Sequence, residues 1–341
     1  MHRKQFISSG TALIASFPFG WKEINTQAKS SDELQTIIPK YLIPGDIIGI
    51  TSPAGNITLE EIRPAIQQME SWGLTINVGD SIGKRNFTFG GTDEERAEDF
   101  QKMLDNPSIR AVMCARGGYG FVRIVDQLNF DKFLKSPKWI IGFSDLTVLH
   151  SHLSNYGIAS IHSKMCNSFP DDRSNAEPIQ VETIFSIWKA LTGDKMRYFA
   201  RHNKKNRLGT AKGELIGGNL KTIESLAGSK SDLRTAGKLL FVEDTGEYLY
   251  SIDRMFWNLK RTGKLAQLNG LIIGGFKIKP DDPGEEFALS LYDIVLEKVK
   301  EYHYPVCFDF PVGHQKNNFA LKCGIKHQVS VEQGLTTLKE L

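Results

Sequence analysis

The chain has 341 residues, 40% of them hydrophobic and 24% charged, and its 42 Lys and Arg against 39 Asp and Glu leave a net charge of +3. That length suggests two domains, each able to bury a core. The near balance of charge argues against an electrostatic nucleic-acid binder, which needs a clustered basic face, and no run approaches the ~18 uninterrupted apolar residues of a membrane span.

The N-terminus stands apart from the rest. His2, Arg3 and Lys4 make a basic start, residues 6–20 are mildly apolar, and Thr26-Gln27-Ala28 offers a small-residue cleavage site. This order is that of a secretory signal, and Arg3-Lys4-Gln5-Phe6-Ile7 resembles a degenerate twin-arginine leader with Lys in the place of the second Arg. Residues 1–28 are therefore expected to be an export leader to the periplasm, the alternative being a cytoplasmic protein with a frayed N-terminus.

Residues 46–51 read as a short apolar strand that ends in the turn Ser52-Pro53-Ala54-Gly55. Leu59, Ile62, Ile66 and Met69 form a helical stripe over 58–72 that Gly73 stops. A strand follows at 74–78, then a helix to Leu104 capped by Thr92, with Glu95 completing a capping box. Residues 109–114 and 139–143 read as strands, 120–128 and 145–155 as helices. Strands alternating with helices predict a parallel sheet covered on both faces. The stretch 193–212 contains Arg201, Lys204, Lys205, Asn206 and Arg207 without apolar periodicity, and reads as a linker or exposed loop. Beyond it come strands at 213–216, 239–243 and 270–273, helices at 219–226, 251–260 and 287–299, and short strands near Val306, Ala320 and Val329. The expected organisation is an N-terminal α/β domain over 40–192, a linker over 193–212 and a C-terminal α/β domain over 213–341. Cys114, Cys166, Cys307 and Cys323 are widely spaced, with neither C-x-x-C nor zinc-finger spacing, and Cys114 and Cys307, in strand-like runs, read as buried hydrophobes.

The segment Trp139-Ile140-Ile141-Gly142-Phe143-Ser144-Asp145 carries the strongest chemical signal. A serine on a sharp strand-to-helix turn exposes its hydroxyl and leaves the next backbone N–H able to face an oxyanion. Leu146 stands where the hydrolase elbow G-x-S-x-G has its second glycine, and Ser144 could equally be a helix N-cap. A serine nucleophile needs a base and an orienting acid. Among eight histidines, His314 follows Pro311-Val312-Gly313 just past a strand; His150 and His152 are two apart on a helix and point to different sides, so a metal pair there is not expected. Glu243 ends an apolar strand, where open α/β sheets place functional groups, although a helix soon after it could explain an acid at that position. Ala115-Arg116-Gly117-Gly118-Tyr119-Gly120 directly follows a strand. Its glycines suit phosphate binding, half of an oxyanion hole or a plain tight turn.

Taken together with Gly45-Asp46, Gly91-Thr92-Asp93-Glu94-Glu95-Arg96, Gly217-Gly218-Asn219-Leu220, Glu243-Asp244 and Gly313-His314, the chain from about Pro44 to Val331 resembles the LD-carboxypeptidase family of serine peptidases. That family includes muramoyltetrapeptide carboxypeptidase and the microcin C self-immunity peptidases. The resemblance implies an N-terminal parallel-sheet domain of flavodoxin or Rossmann type and a smaller C-terminal α/β domain of swivelling type, usually in a homodimer. It also implies Ser144 as nucleophile, His314 as general base, Glu243 as orienting acid, and the backbone N–H groups of Gly118 and Asp145 as oxyanion hole. The implied reaction releases a C-terminal D-amino acid, D-Ala, from a murein tetrapeptide and uses no metal or organic cofactor. An exopeptidase must recognise the free carboxylate, for which Arg116 and Asn219 are chemically suitable. One departure concerns His162-Ser163-Lys164-Met165, where family members often have His-Gly-Pro-Met; it bears on loop shape and substrate preference. The rivals are an amidase of the microcin C immunity type and a non-catalytic muropeptide-binding protein.

Overall fold

The computed structural model describes residues 36–172 and 175–341, so the expected leader over 1–28 lies outside the described residues. Five strands, β1 (Ile47–Thr51), β2 (Thr75–Val78), β3 (Ile109–Cys114), β4 (Trp139–Gly142) and β5 (Ser160–His162), pair in parallel in the order 2-1-3-4-5. This is the flavodoxin-like order, whose reversal between β1 and β3 opens a crevice at the carboxyl ends of the strands. Strand β4 is buried along its whole length and β3 nearly so, as a parallel sheet covered on both faces requires. Helices α1 (Leu59–Ser71) and α5 (Pro178–Thr192) cover one face; α2 (Asp93–Asp105), α3 (Asp131–Lys135) and α4 (Thr147–Asn155) cover the other. Thr92 and Glu95 form the expected capping box, and Thr58 and Glu61 form a second one at the start of α1.

The second sheet has seven strands. In chain order the elements are β6 (Arg197–Arg201), β7 (Gly209–Asn219), α6 (Leu220–Ser225), β8 (Leu239–Glu247), α7 (Leu249–Arg261), β9 (Gly270–Ile278), α8 (Leu291–Lys298), β10 (Val306–Cys307), β11 (Leu321–Cys323), β12 (Lys326–Val331) and β13 (Leu335–Glu340). The sheet runs β10-β9-β8-β7-β12-β13-β6, parallel from β10 to β7 and antiparallel beyond. Strand β11 belongs to the other sheet, where it pairs antiparallel with β5. A single apolar core spans the two sheets: Ile48, Met113 and Ile161 from the first share it with Leu215, Phe241 and Ile272 from the second. The outer face of the second sheet packs on α6, α7 and α8.

Two stretches differ from the sequence expectation. The segment 193–212 holds all of β6 and the start of β7, because Tyr198 and Ala200 alternate inward between exposed Arg197, Phe199 and Arg201; five residues with three outward-facing positions give too short a period-2 signal among so many cations. The expected helix over 120–128 is two 3-10 turns, Phe121–Arg123 and Val125–Gln127, entered through Gly120 at φ +141°.

Arg96 braces the crevice. Its guanidinium is fully buried and donates to the carbonyls of Pro53 (2.5 Å) and Gly120 (3.0 Å), and to Asp93. It thereby ties the loop after β1 to the loop after β3. Arg96→Ala strands these acceptors and should cost at least about 2 kcal/mol in urea unfolding, whereas Arg123→Ala, which removes a half-exposed partner of the same Asp93, should cost under about 1 kcal/mol.

Candidate active site

Ser144 sits where β4 gives way to helix. It opens a 3-10 turn, Ser144–Leu146, that leads directly into α4, and no side chain caps either start. Ser144 is thus inside the turn and not its N-cap. Its φ of +63° is a left-handed conformation that costs a non-glycine residue about 1–2 kcal/mol, the strained turn expected of an exposed nucleophile. Leu146 is compatible with this turn because it folds into the core and covers Gly142: a Cβ on Gly142 would stand 3.1 Å from Leu146 Cγ. The glycine-rich loop after β3 lies against the serine, since a Cβ on Gly117 would stand 3.1 Å from Ser144 Cβ. Gly118 there has φ +96°, and Gly117 O is held by the Gly55 N–H at 2.8 Å.

Glu243 lies on β8 and has no solvent exposure. Its Oε2 accepts from His314 Nδ1 at 2.5 Å and from the His314 backbone N–H at 3.1 Å. With Nδ1 donating to the carboxylate, Nε2 is the unprotonated nitrogen of a neutral ring. The His314 ring centroid is 4.9 Å from that of Phe143, the residue before Ser144, which sets the imidazole beside the serine turn. Gly313 makes this possible: at φ +103°, any Cβ would fall inside the Glu243 side chain. Its N–H donates to Asn318 Oδ1 at 2.7 Å, and it bridges to Gly275 at the edge of β9.

The remaining residues singled out in the sequence have definite places. Asn219 is buried and engaged within the protein: Oδ1 accepts from the Thr222 N–H at 3.0 Å, capping α6, Nδ2 donates to Asp244 at 2.9 Å, and the backbone N–H donates to Thr147 Oγ1 at 2.9 Å. Arg116 is exposed and donates to Asn56 O at 3.1 Å. His150 is a core histidine between Ser160 Oγ (2.7 Å) and Gly142 O (2.9 Å), and burial lowers it to about 4. The four cysteines are all buried.

Comparison with known proteins places this constellation. Residues 48–163 match the LD-carboxypeptidase N-terminal domain, and residues 212–329 match the LD-carboxypeptidase C-terminal domain. A probable murein peptide carboxypeptidase of Bacillus subtilis is 31% identical over 291 residues, 84% of this chain and 90% of that protein. The chain belongs to the LD-carboxypeptidase family. The murein tetrapeptide carboxypeptidase of Pseudomonas aeruginosa is 30% identical over 81% of this chain and 91% of its own length. The crystal structure of muramoyltetrapeptide carboxypeptidase from Oxalobacter formigenes superposes with a TM-score of 0.74 at 27% identity, covering 86% of this chain and 98% of that one. Relatives so named support a peptidase.

In this member of the family the Asp145 side chain has a role that the sequence did not reveal. Its carboxylate accepts the Phe121 N–H at 2.7 Å, fastening the end of the glycine-rich loop to the serine turn, so the two amides implied for oxyanion binding are tied by one acid. The signal was present only as an acid next to the serine, and nothing local says that it reaches across 24 residues. Burial lifts the Asp145 carboxyl to about 6, against the Phe121 and Gly120 N–H groups and Arg96, which favour its charge. Asp244 is likewise lifted to about 6 by burial, with the charge of Glu243 adding to the effect. A carboxyl raised on folding favours the native state most below its unfolded pKa, near 4, and loses that contribution as pH climbs through about 6. Between pH 4.5 and 7.5 the wild type should therefore lose about 1–3 kcal/mol relative to Asp145→Asn, measured as the difference between the two in urea unfolding at each pH.

Proposed function

We propose that the protein is a serine-type LD-carboxypeptidase that releases a C-terminal D-amino acid, D-Ala, from murein tetrapeptides through an acyl-enzyme. The observation that carries this reading is the buried Glu243–His314 hydrogen bond set beside a serine in a left-handed turn. Ser144 Oγ attacks the carbonyl of the penultimate residue, and His314 Nε2 takes the hydroxyl proton. Glu243 fixes the Nδ1–H tautomer and stabilises the imidazolium. The N–H groups of Gly118 and Asp145 receive the oxyanion, each worth on the order of 3 kcal/mol in the transition state. His314 then protonates the leaving amine as the C–N bond breaks. Water, deprotonated by the same imidazole, hydrolyses the ester and returns the proton to Ser144. The names of the Bacillus and Pseudomonas relatives support murein peptides as the substrate class.

The reading extends to the cellular setting. The basic, apolar and small-residue order of 1–28 supports export, so that the enzyme acts on muropeptides outside the cytoplasm; N-terminal sequencing of the mature protein should find Met1 removed. The family resemblance supports a homodimer, to be read from light scattering on the purified protein.

Ser144→Ala should lower D-Ala release from a murein tetrapeptide by at least about a thousandfold while leaving the unfolding midpoint unchanged, because alanine meets the same φ. An unchanged rate would remove the triad assignment and favour a muropeptide-binding protein. A panel of L,D- and L,L-linked peptides should show turnover only of the L,D series; turnover confined to acyl-sulfamoyl adenylates would favour the microcin C immunity type.

A further inference from the structure

Lys40, Arg110, Lys135 and Lys138 line one cavity of about 310 Å³ at the amino ends of the parallel strands. They come from separate elements: Lys40 from the segment before β1, Arg110 from β3, Lys135 from the end of α3, and Lys138 from the residue before β4. Lys138 precedes β4 and Ser144 follows it, so the cavity lies at the opposite end of the strands from the serine turn. Ile38 and Pro137 give it an apolar side, and among the described residues no carboxylate lines it.

Lys138 is only 5% exposed, and its Nζ donates to Met103 O at 3.0 Å and Asn106 O at 2.6 Å, where α2 ends. The negative end of the helix dipole accounts for that one buried ammonium and leaves its third donor unused. It does not account for three further cations around the same space. Among the described residues Lys40, Lys135 and Lys138 form no ion pair, and Arg110 reaches Asp46 only at 3.7 Å. Asp105, whose charge favours the Lys138 ammonium, is already bound to Lys132 at 3.1 Å. Burial lowers the Lys138 ammonium to about 8; Asp105 opposes that shift and Arg110 adds to it. Cations gathered without counter-charges raise the energy of the fold around them, and an anion seated among them offsets it.

A phosphate group brings up to about two negative charges and three acceptor oxygens, more than a carboxylate can offer to four cations. Arg110 supplies the planar fork that matches such oxygens, and the lysines supply mobile point charges. We propose that this cavity binds a phosphate ester, its oxygens among Lys40, Arg110, Lys135 and Lys138 and its organic part against Ile38 and Pro137. The site is separate from the peptidase centre and does not depend on the peptidase reading. A soluble phosphate ester and the headgroup of an anionic phospholipid present the same chemistry, and the experiment tells them apart.

Isothermal titration of the full chain with glycerol phosphate should show saturable binding, at least about tenfold tighter than that of acetate. Lys40→Gln and Lys135→Gln, both at exposed positions, should each weaken it about three- to tenfold, and Arg110→Gln about tenfold. Ser144→Ala should leave it unchanged. Without ligand, Lys135→Gln should unfold at the same urea concentration as the wild type or a higher one, which keeps lost affinity distinct from a lost fold. Flotation with vesicles then identifies the source. A preference for phosphatidylglycerol over phosphatidylcholine that falls in the same three variants marks a lipid headgroup; where that preference is absent or unaffected, the ligand is a soluble ester. No saturable binding, equal affinity for acetate, unchanged affinity in the three variants, or loss of binding in Ser144→Ala would overturn the proposal.

Discussion

A carboxylate with no exposure to water has to be held by hydrogen bonds, because removing a charge from solvent without a partner costs several kcal/mol. Glu243 meets this demand with one residue used twice: a single oxygen, Oε2, receives both the ring Nδ1–H and the backbone N–H of His314. The double bond fixes more than the ring. It fixes the chain at 314, and through the Gly313–Gly275 bridge it registers the loop after β10 against the middle of β9. The imidazole is therefore oriented by backbone geometry as well as by a side-chain contact, and with Nδ1 donating, Nε2 is the nitrogen left to accept a proton.

That arrangement dictates where glycine stands. Gly313 passes so close to Glu243 that no side chain fits, and a Cβ on Gly274 of the neighbouring strand would stand 3.3 Å from the Glu243 Cβ. Gly218 presses on Thr147 in the first turn of α4, whose hydroxyl accepts the Asn219 N–H. Such bare backbone lets β7, β8 and β9 approach the serine turn closely enough for residues of two sheets to share one reaction centre. On the opposite wall Gly117 does the same for the loop after β3. The glycines cluster at the site because the site is made by packing main chain against main chain.

Much of this was legible in the sequence, and the limits of legibility have a physical origin. The βα alternation of the first half is a local pattern, so the parallel sheet and its capping box could be read directly. The strand ends that carry Ser144 and Glu243 were readable for the same reason, each being an apolar run that stops at a polar residue. His314 was marked by the Gly-His pair that follows a short strand. What could not be read depends on pairing between distant segments. Strand β6 is recognisable only against β13, and β11, expected as a short strand near Ala320, shows that it belongs to the first sheet only when it meets β5. The carboxylate of Asp145 reads as part of a helix start until the Phe121 amide is brought to it.

The pairing of β11 with β5 also bears on how the two halves cooperate. Strand β5 neighbours β4, and β4 ends in the serine turn, so a strand from the C-terminal half completes the edge of the sheet that carries Ser144. Leu321, opposite His162 in that pairing, sits in the core that both sheets share. The chain thus contributes His314 to the site and, seven residues later, a strand to the sheet beneath it. Loosening one half would expose core residues of the other and shift the imidazole relative to the serine in the same event. Cooperative folding of the pair is then a condition for the Glu243–His314 pair of one sheet to meet the serine turn of the other, since their alignment is set by a core that neither sheet can close alone.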